Sequence, residues 1–370
     1  MKVCILSPCV QKHMVLVSTY KNYFEKRNIQ YDFLYPVKYH EVEESNARET
    51  YRFEVRNTKN NLLIISDYLH FIQYAKKILD NNNYDLIIVW TEIAAAIFAN
   101  YLKKKQKGKY IVVVLDLFDE ARVIKNPHIL SYLLNKEICS SLFTTVSSQG
   151  YIPYLTNKRD YLFVHNINQT ILPKPKRLET RTGKPVTILY SGHISYPYYA
   201  MKMIDRFKND PRFILRIVGV GSESVKQYTD AVECKNAMVF GSFESKDTVK
   251  ILSCADIIYN VYGNDKHCKQ TAFSNKLYYA ACMRVPILVS PNTYMEHITQ
   301  ELGIGYAIDF DSPDNVCDAL YDWYINFDQD AVQEKCDAFI QKAFDSHKQL
   351  YHKLDDYFKK INNKVRENKI

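Results

Sequence analysis

The sequence predicts an α/β protein of two domains, each with a parallel sheet covered by helices on both faces. Three observations carry this. The chain has 370 residues, more than one ordinary core accommodates. Short continuous apolar runs alternate with longer segments of helical spacing, twice over. A stretch rich in proline and basic residues, 169–185, divides the two series.

The first series places strands at 3–7, 31–35, 86–90, 110–115, 143–146 and 162–165. Helical spacing fills 62–79 and 127–141 between them. The strand runs are continuously apolar rather than alternating, so both faces are covered. Strand–helix alternation then implies a parallel sheet. The dividing stretch contains Pro173, Pro175 and Pro185 and has almost no apolar periodicity, which is linker composition. The second series places strands at 186–190, 213–218, 238–240, 257–260, 285–289 and 306–308, with helices at 245–253 and 274–283. The tail from 330 to about 363 reads as helical, with Phe339, Ile340, Phe344, Leu350, Leu354 and Phe358 as apolar positions. The expected domains are 1–168 and 186–345, with a separate C-terminal helix over 346–370.

Composition narrows the classes. Hydrophobic residues make up 47% and charged residues 24%, which excludes a long disordered chain. No apolar run approaches the roughly 20 residues of a membrane-spanning helix. The apolar start is too short for a signal peptide, and Pro8 breaks it. The chain is therefore expected in the cytoplasm. Its nine cysteines form no Cys-x-x-Cys pair, which reads as reduced thiols with no zinc or other metal. The net charge is +8, yet no recognition module points to nucleic acid. The basic residues cluster at 103–109. They either complement a helix C-terminus or contact an anionic membrane surface. Oligomeric state is not legible.

In open parallel sheets, ligands bind beyond the carboxyl ends of the strands. Ser191-Gly192-His193 follows the first strand of the second domain, where glycine lets backbone N–H groups approach a phosphate. Ile217-Val218-Gly219-Val220-Gly221-Ser222 ends the next strand. It resembles part of a dinucleotide fingerprint, but on the second strand of its domain. The first strand of the chain is followed by Pro8-Cys9-Val10-Gln11, so a dehydrogenase is a poor reading. Ser274 reads as the N-cap of a helix whose first turn carries Asn275 and Lys276. A cation there opposes the helix dipole and suits a bound anion. In the first domain, Asp116, Asp119 and Glu120 follow a strand end, where a carboxylate suits a general base. Acids also suit a helix N-terminus for dipole reasons alone. His13 and His165 are lesser candidates.

Several of these stretches, in order, resemble GT-B glycosyltransferases, in particular family-4-like enzymes of bacterial capsule and O-antigen assembly. They are Ile188-Leu189-Tyr190-Ser191-Gly192, Ile217-Val218-Gly219-Val220-Gly221, Val239-Phe240-Gly241-Ser242-Phe243 and Cys254-Ala255-Asp256-Ile257-Ile258. Ser274-Asn275-Lys276-Leu277-Tyr278-Tyr279, Val285-Pro286-Ile287-Leu288-Val289-Ser290 and Leu302-Gly303-Ile304-Gly305-Tyr306 continue the series. The first domain matches at Thr144-Thr145-Val146-Ser147-Ser148 and Phe163-Val164-His165-Asn166-Ile167.

The resemblance implies two Rossmann-like domains facing across a cleft. It implies a metal-independent transfer from a UDP-linked or other nucleotide-diphosphate sugar to a glycan, lipid-linked at the inner membrane face. Gly192 and Lys276 would face the diphosphate, and His193, Gly219, Ser274 and Asn275 would belong to the same donor site. Gly241, Ser242 and Phe243 would lie near the base, and Tyr279 near the ribose. No separate cofactor is implied. One departure stands out. Many members carry a Glu-x7-Glu pair where this chain has Thr271 and Tyr279. A catalytically silent subunit and a sugar-nucleotide epimerase are the competing readings.

Overall fold

The computed structural model describes residues 1–11, 14–38, 45–118, 127–169, 171–178, 183–312 and 315–367. The chain divides into two compact units. One joins Met1–Asn168 to Ala343–Ile370, and the other is Gln169–Lys342.

The first unit has a seven-stranded sheet in the order β3-β2-β1-β4-β5-β6-β7. The strands are Lys2–Leu6 (β1), Gln30–Lys38 (β2), Glu49–Val55 (β3), Leu86–Trp90 (β4), Tyr110–Val114 (β5), Thr144–Val146 (β6) and Tyr161–Phe163 (β7). Every pairing is parallel. β4 and β5 are buried along their whole length, as their unbroken apolar runs require. Helices Asn61–Asn81 (α2), Glu92–Lys105 (α3) and Pro127–Ser140 (α4) cover one face, packing Phe71, Ala75, Phe98, Leu102, Leu134 and Ile138 together. Val17–Lys26 (α1) covers the other face, joined by Leu350, Leu354 and Phe358 from the tail.

Two features differ from the sequence reading. Glu49–Val55 is an edge strand that the apolar runs do not reveal. It pairs with β2 alone and is half-exposed, so its sequence alternates polar and apolar instead of running apolar. The tail forms one helix, Gln333–Glu367 (α12), with no break near 346. From Ala343 onward it belongs to the first unit. Tyr351 donates to the Thr19 carbonyl at 2.9 Å, and Arg27 grips Asp355 through two nitrogens.

The second unit has a six-stranded parallel sheet in the order β10-β9-β8-β11-β12-β13. Its strands are Val186–Ser191 (β8), Phe213–Val218 (β9), Ala237–Phe240 (β10), Ile257–Asn260 (β11), Ile287–Val289 (β12) and Gly305–Ala307 (β13). The helices of this unit are Pro197–Phe207 (α5), Glu223–Ala231 (α6), Thr248–Leu252 (α7), His267–Thr271 (α8), Asn275–Met283 (α9), Tyr294–Leu302 (α10) and Val316–Ile325 (α11), together with the start of α12. Part of the stretch that reads as linker lies on this unit. Lys176 donates to the Ala255 carbonyl at 2.7 Å and to Asp256 at 3.0 Å. Among the described residues, no helix is long and apolar enough to cross a membrane.

Candidate active site

The loops beyond the carboxyl ends of β8 to β12 gather most of the marked residues of the second unit. Gly192 has a positive φ of 104° and donates its N–H to the Val218 carbonyl at 2.9 Å. A Cβ on Gly219 would lie 1.6 Å from the Gly192 carbonyl oxygen, so these two turns touch backbone to backbone. Packing of the turns is thus a sufficient reason for glycine at 219, whose own N–H already serves the Phe240 carbonyl at 3.3 Å. His193 is exposed and its Nδ1 meets Ser195 Oγ at 2.6 Å. Gly241 and Ser242 are exposed, and Phe243 is half-buried.

Lys276 occupies the most unusual environment. Ser274 caps α9, its side chain accepting from the Lys276 N–H at 3.3 Å. The first turn of α9 contains no acidic residue. The Lys276 ammonium donates to the Tyr262 hydroxyl and lies 5.1 Å from the Tyr262 ring and 5.2 Å from the Tyr190 ring. Among the described residues no carboxylate pairs with it. Burial pushes its pKa down to about 8. An ammonium beside two phenol rings, at the positive end of a helix, is an arrangement that an anion would complement. Ser290 fixes the Tyr262 turn, its Oγ accepting from the backbone N–H of Tyr262 at 3.0 Å and of Gly263 at 2.8 Å.

The neighbours of Lys276 were not marked by sequence. Tyr196 lies 5.5 Å from Tyr262, ring to ring. Lys269 sits 4.4 Å from the Tyr196 ring and pairs with Asp265 at 2.7 Å. The signal was present in the tyrosines of Ser195-Tyr196-Pro197-Tyr198-Tyr199 directly after Gly192. Asn275 buries its side-chain oxygen without a hydrogen-bond partner among the described residues. Thr271, where relatives of the resembled family carry a glutamate, is buried and donates to the His267 carbonyl of its own helix at 2.6 Å. Tyr279 is half-buried.

In the first unit, Asp116 follows β5 as expected. Its N–H and that of Leu115 both reach the Glu92 carboxylate at 3.3 Å. Glu92 opens α3 from a buried position. Burial, reinforced by Asp116, raises its pKa to about 7. Thr91 before it holds φ at 77°, a costly conformation for a β-branched residue. Sequence reasoning passed over Glu92 because an acid at a helix start has an ordinary dipole explanation. Asp119, Glu120 and His13 lie outside the described residues. His165 is buried, and burial lowers its pKa to about 3, so it holds no proton near neutrality. Its carbonyl faces His347 Nε2 at 2.8 Å and its N–H donates to Ser346, which is a packing role.

No protein-family model matches the sequence, and no curated protein sequence matches it. Solved structures do match. Sucrose-phosphate synthase from Thermosynechococcus elongatus superposes with a TM-score of 0.72 at 10% identity, over 96% of this chain and 99% of that one. Anabaena Alr3699/HepE, in complex with UDP and glucose, gives 0.65 at 11% identity over 96% and 100%. A glycosyltransferase from Rickettsia africae gives 0.62 at 11% identity over 98% and 99%. At these identities the likeness shows the fold. The chain is an α/β protein of two Rossmann-like domains with the GT-B glycosyltransferase fold.

Proposed function

We propose that this chain is a metal-independent glycosyltransferase that takes its sugar from a nucleotide diphosphate, UDP by preference. Its acceptor in this reading is a growing, lipid-linked surface polysaccharide. The observation that supports it is the Lys276 ammonium, half-buried against tyrosines at the start of α9, with no carboxylate partner among the described residues. A partly desolvated cation without a counter-ion is costly, and a diphosphate relieves that cost. The Anabaena neighbour was solved with UDP, which favours that nucleotide.

The chemistry follows from the charge. Transfer breaks the bond between the sugar's anomeric carbon and the diphosphate oxygen. The electron pair stays on the diphosphate, whose negative charge grows beside Lys276 and the α9 N-terminus. The acceptor hydroxyl bonds to the anomeric carbon and gives up its proton. A general base must take that proton, and Asp116, beside the Glu92 carboxyl after β5, is the first unit's candidate for one. The chain's own cation does the work that a metal does elsewhere, so chelation by EDTA is expected to leave turnover intact.

The test is a panel of UDP, GDP and dTDP, read by thermal shift and then by transfer from the matching sugars. UDP is expected to raise the melting temperature most, through linkage of binding to folding. Absence of stabilisation by any of the three removes the transferase reading and leaves the silent-subunit reading. Epimerisation of free UDP-sugar without acceptor, followed by NMR, establishes the third reading instead.

A further inference from the structure

The loop that leaves β11 is braced from several sides. Asn264 donates to the Pro291 carbonyl at 2.9 Å, and Gln270 donates back to the Asn264 carbonyl at 2.7 Å. Gly263 has a φ of 84°, and a Cβ on it would lie 1.9 Å from the Tyr199 hydroxyl. The start of α5 therefore packs directly on this backbone. Together with the Ser290 contacts to Tyr262 and Gly263, these bonds hold the loop in one shape.

Asp265 and Lys269 stand on this frame and pair at 2.7 Å. The Lys269 side chain is 7% exposed, whereas that of Asp265 is 54% exposed. The Lys269 ammonium lies 4.4 Å from the Tyr196 ring and 5.4 Å from the Tyr199 ring. An ammonium has three N–H groups. Among the described residues Asp265 is its hydrogen-bond acceptor, so the other N–H groups are largely withdrawn from water without one. A partly exposed pair four residues apart adds little to stability, so folding is a weak reason for this arrangement. The pair adjoins the Lys276 site through aromatic rings. Tyr196, which carries Lys269 on its ring, lies 5.5 Å from Tyr262, whose hydroxyl accepts from Lys276.

We propose that Asp265 and Lys269 read the sugar of the donor and select a neutral hexosyl group over a uronate. This rests on the proposed function, in which the diphosphate faces Lys276. A sugar attached to that diphosphate comes within reach of Tyr196 and the pair beside it. A carboxylate and an ammonium side by side match neighbouring hydroxyls. One hydroxyl donates to Asp265 and the next accepts from Lys269, and both bonds are charge-assisted. The Tyr196 ring offers an apolar face to the C–H groups of the sugar. A uronate would set its carboxylate beside Asp265, where like charges repel. Thr271 does not serve this role, because its hydroxyl goes to the His267 carbonyl of its own helix.

The test is titration calorimetry of the whole chain with UDP, UDP-glucose, UDP-galactose and UDP-glucuronate. Wild type is expected to bind one of the two hexose donors at least about tenfold more tightly than the uronate. Asp265→Asn should weaken that hexose donor by about tenfold and strengthen the uronate, with UDP alone unchanged. Lys269→Met keeps an apolar stem against the rings and removes the N–H groups. It should weaken the hexose donor likewise and leave UDP unchanged. Lys276→Ala, by contrast, should weaken all four ligands. Melting temperatures of the Asp265 and Lys269 variants should stay near wild type. Variants that weaken UDP and the hexose donor equally overturn the proposal, because the pair then only shapes the loop. A uronate that binds as tightly as both hexose donors overturns it too. Absence of binding by every nucleotide in the panel above sinks the transferase reading and this proposal together. UDP binding with no sugar-specific change in either variant sinks this proposal alone.

Discussion

Lys276 titrates near the pH at which the protein is expected to work, and that makes its role measurable. Burial lowers its pKa to about 8, so the ammonium is present below that value and is lost as pH rises through it. UDP affinity should therefore be highest on the acid side. It should fall by up to about tenfold per pH unit above the break, which bound diphosphate moves upward. Lys276→Arg keeps its charge across this range and should show a flat profile. Titration calorimetry of UDP between about pH 7 and about pH 9.5 reads both. A wild-type profile as flat as the Arg variant's would take Lys276 away from the diphosphate. Linkage gives a second sign. The folded pKa lies below the unfolded one, so the cost of the buried charge is full below about 8. Stability then rises with pH between the two values.

At the scale of elements, the turns after β8 and β9 form one unit through glycine. Gly219→Ala would push a methyl group into the Gly192 carbonyl, and the turns must part. The expected loss is about 1–3 kcal/mol by urea unfolding, with weaker UDP binding as well. Unchanged stability would show that the two turns are not packed as described. The sequence made the central elements legible because their signals are local. Unbroken apolar runs mark β4 and β5, and Ser274 before an apolar helix marks the start of α9. β3 was hidden because an edge strand with one open face alternates. Lys276 was legible because a lysine in a first helical turn breaks the dipole rule. Tyr262 and Lys269 were not, since each matters only through a partner distant in sequence: Lys276 for one, Tyr196 for the other. Glu92 was masked by obeying the same dipole rule that Lys276 breaks.

For the whole molecule, the chain's last segment belongs with its first. Leu350, Leu354 and Phe358 are buried in the core that α1 shares with the sheet of the first unit. Truncating Leu354 to Ala should cost about 2–5 kcal/mol in that unit. In calorimetry, the transition of the first unit should drop in temperature while that of the second holds. Equal shifts in both would mean that the two units unfold as one cooperative body. The central claim, that the second unit binds a nucleotide diphosphate through Lys276, is tested most directly by Lys276→Ala. Turnover with a UDP-sugar and melting temperature should be measured on the same preparation. The expected result is a loss of about 10²–10³ in turnover, the scale of one preorganised oxyanion donor. Melting temperature should be equal or higher, because a partly desolvated charge without a carboxylate partner among the described residues is gone. Near-wild-type turnover at unchanged stability would contradict the assignment of the site.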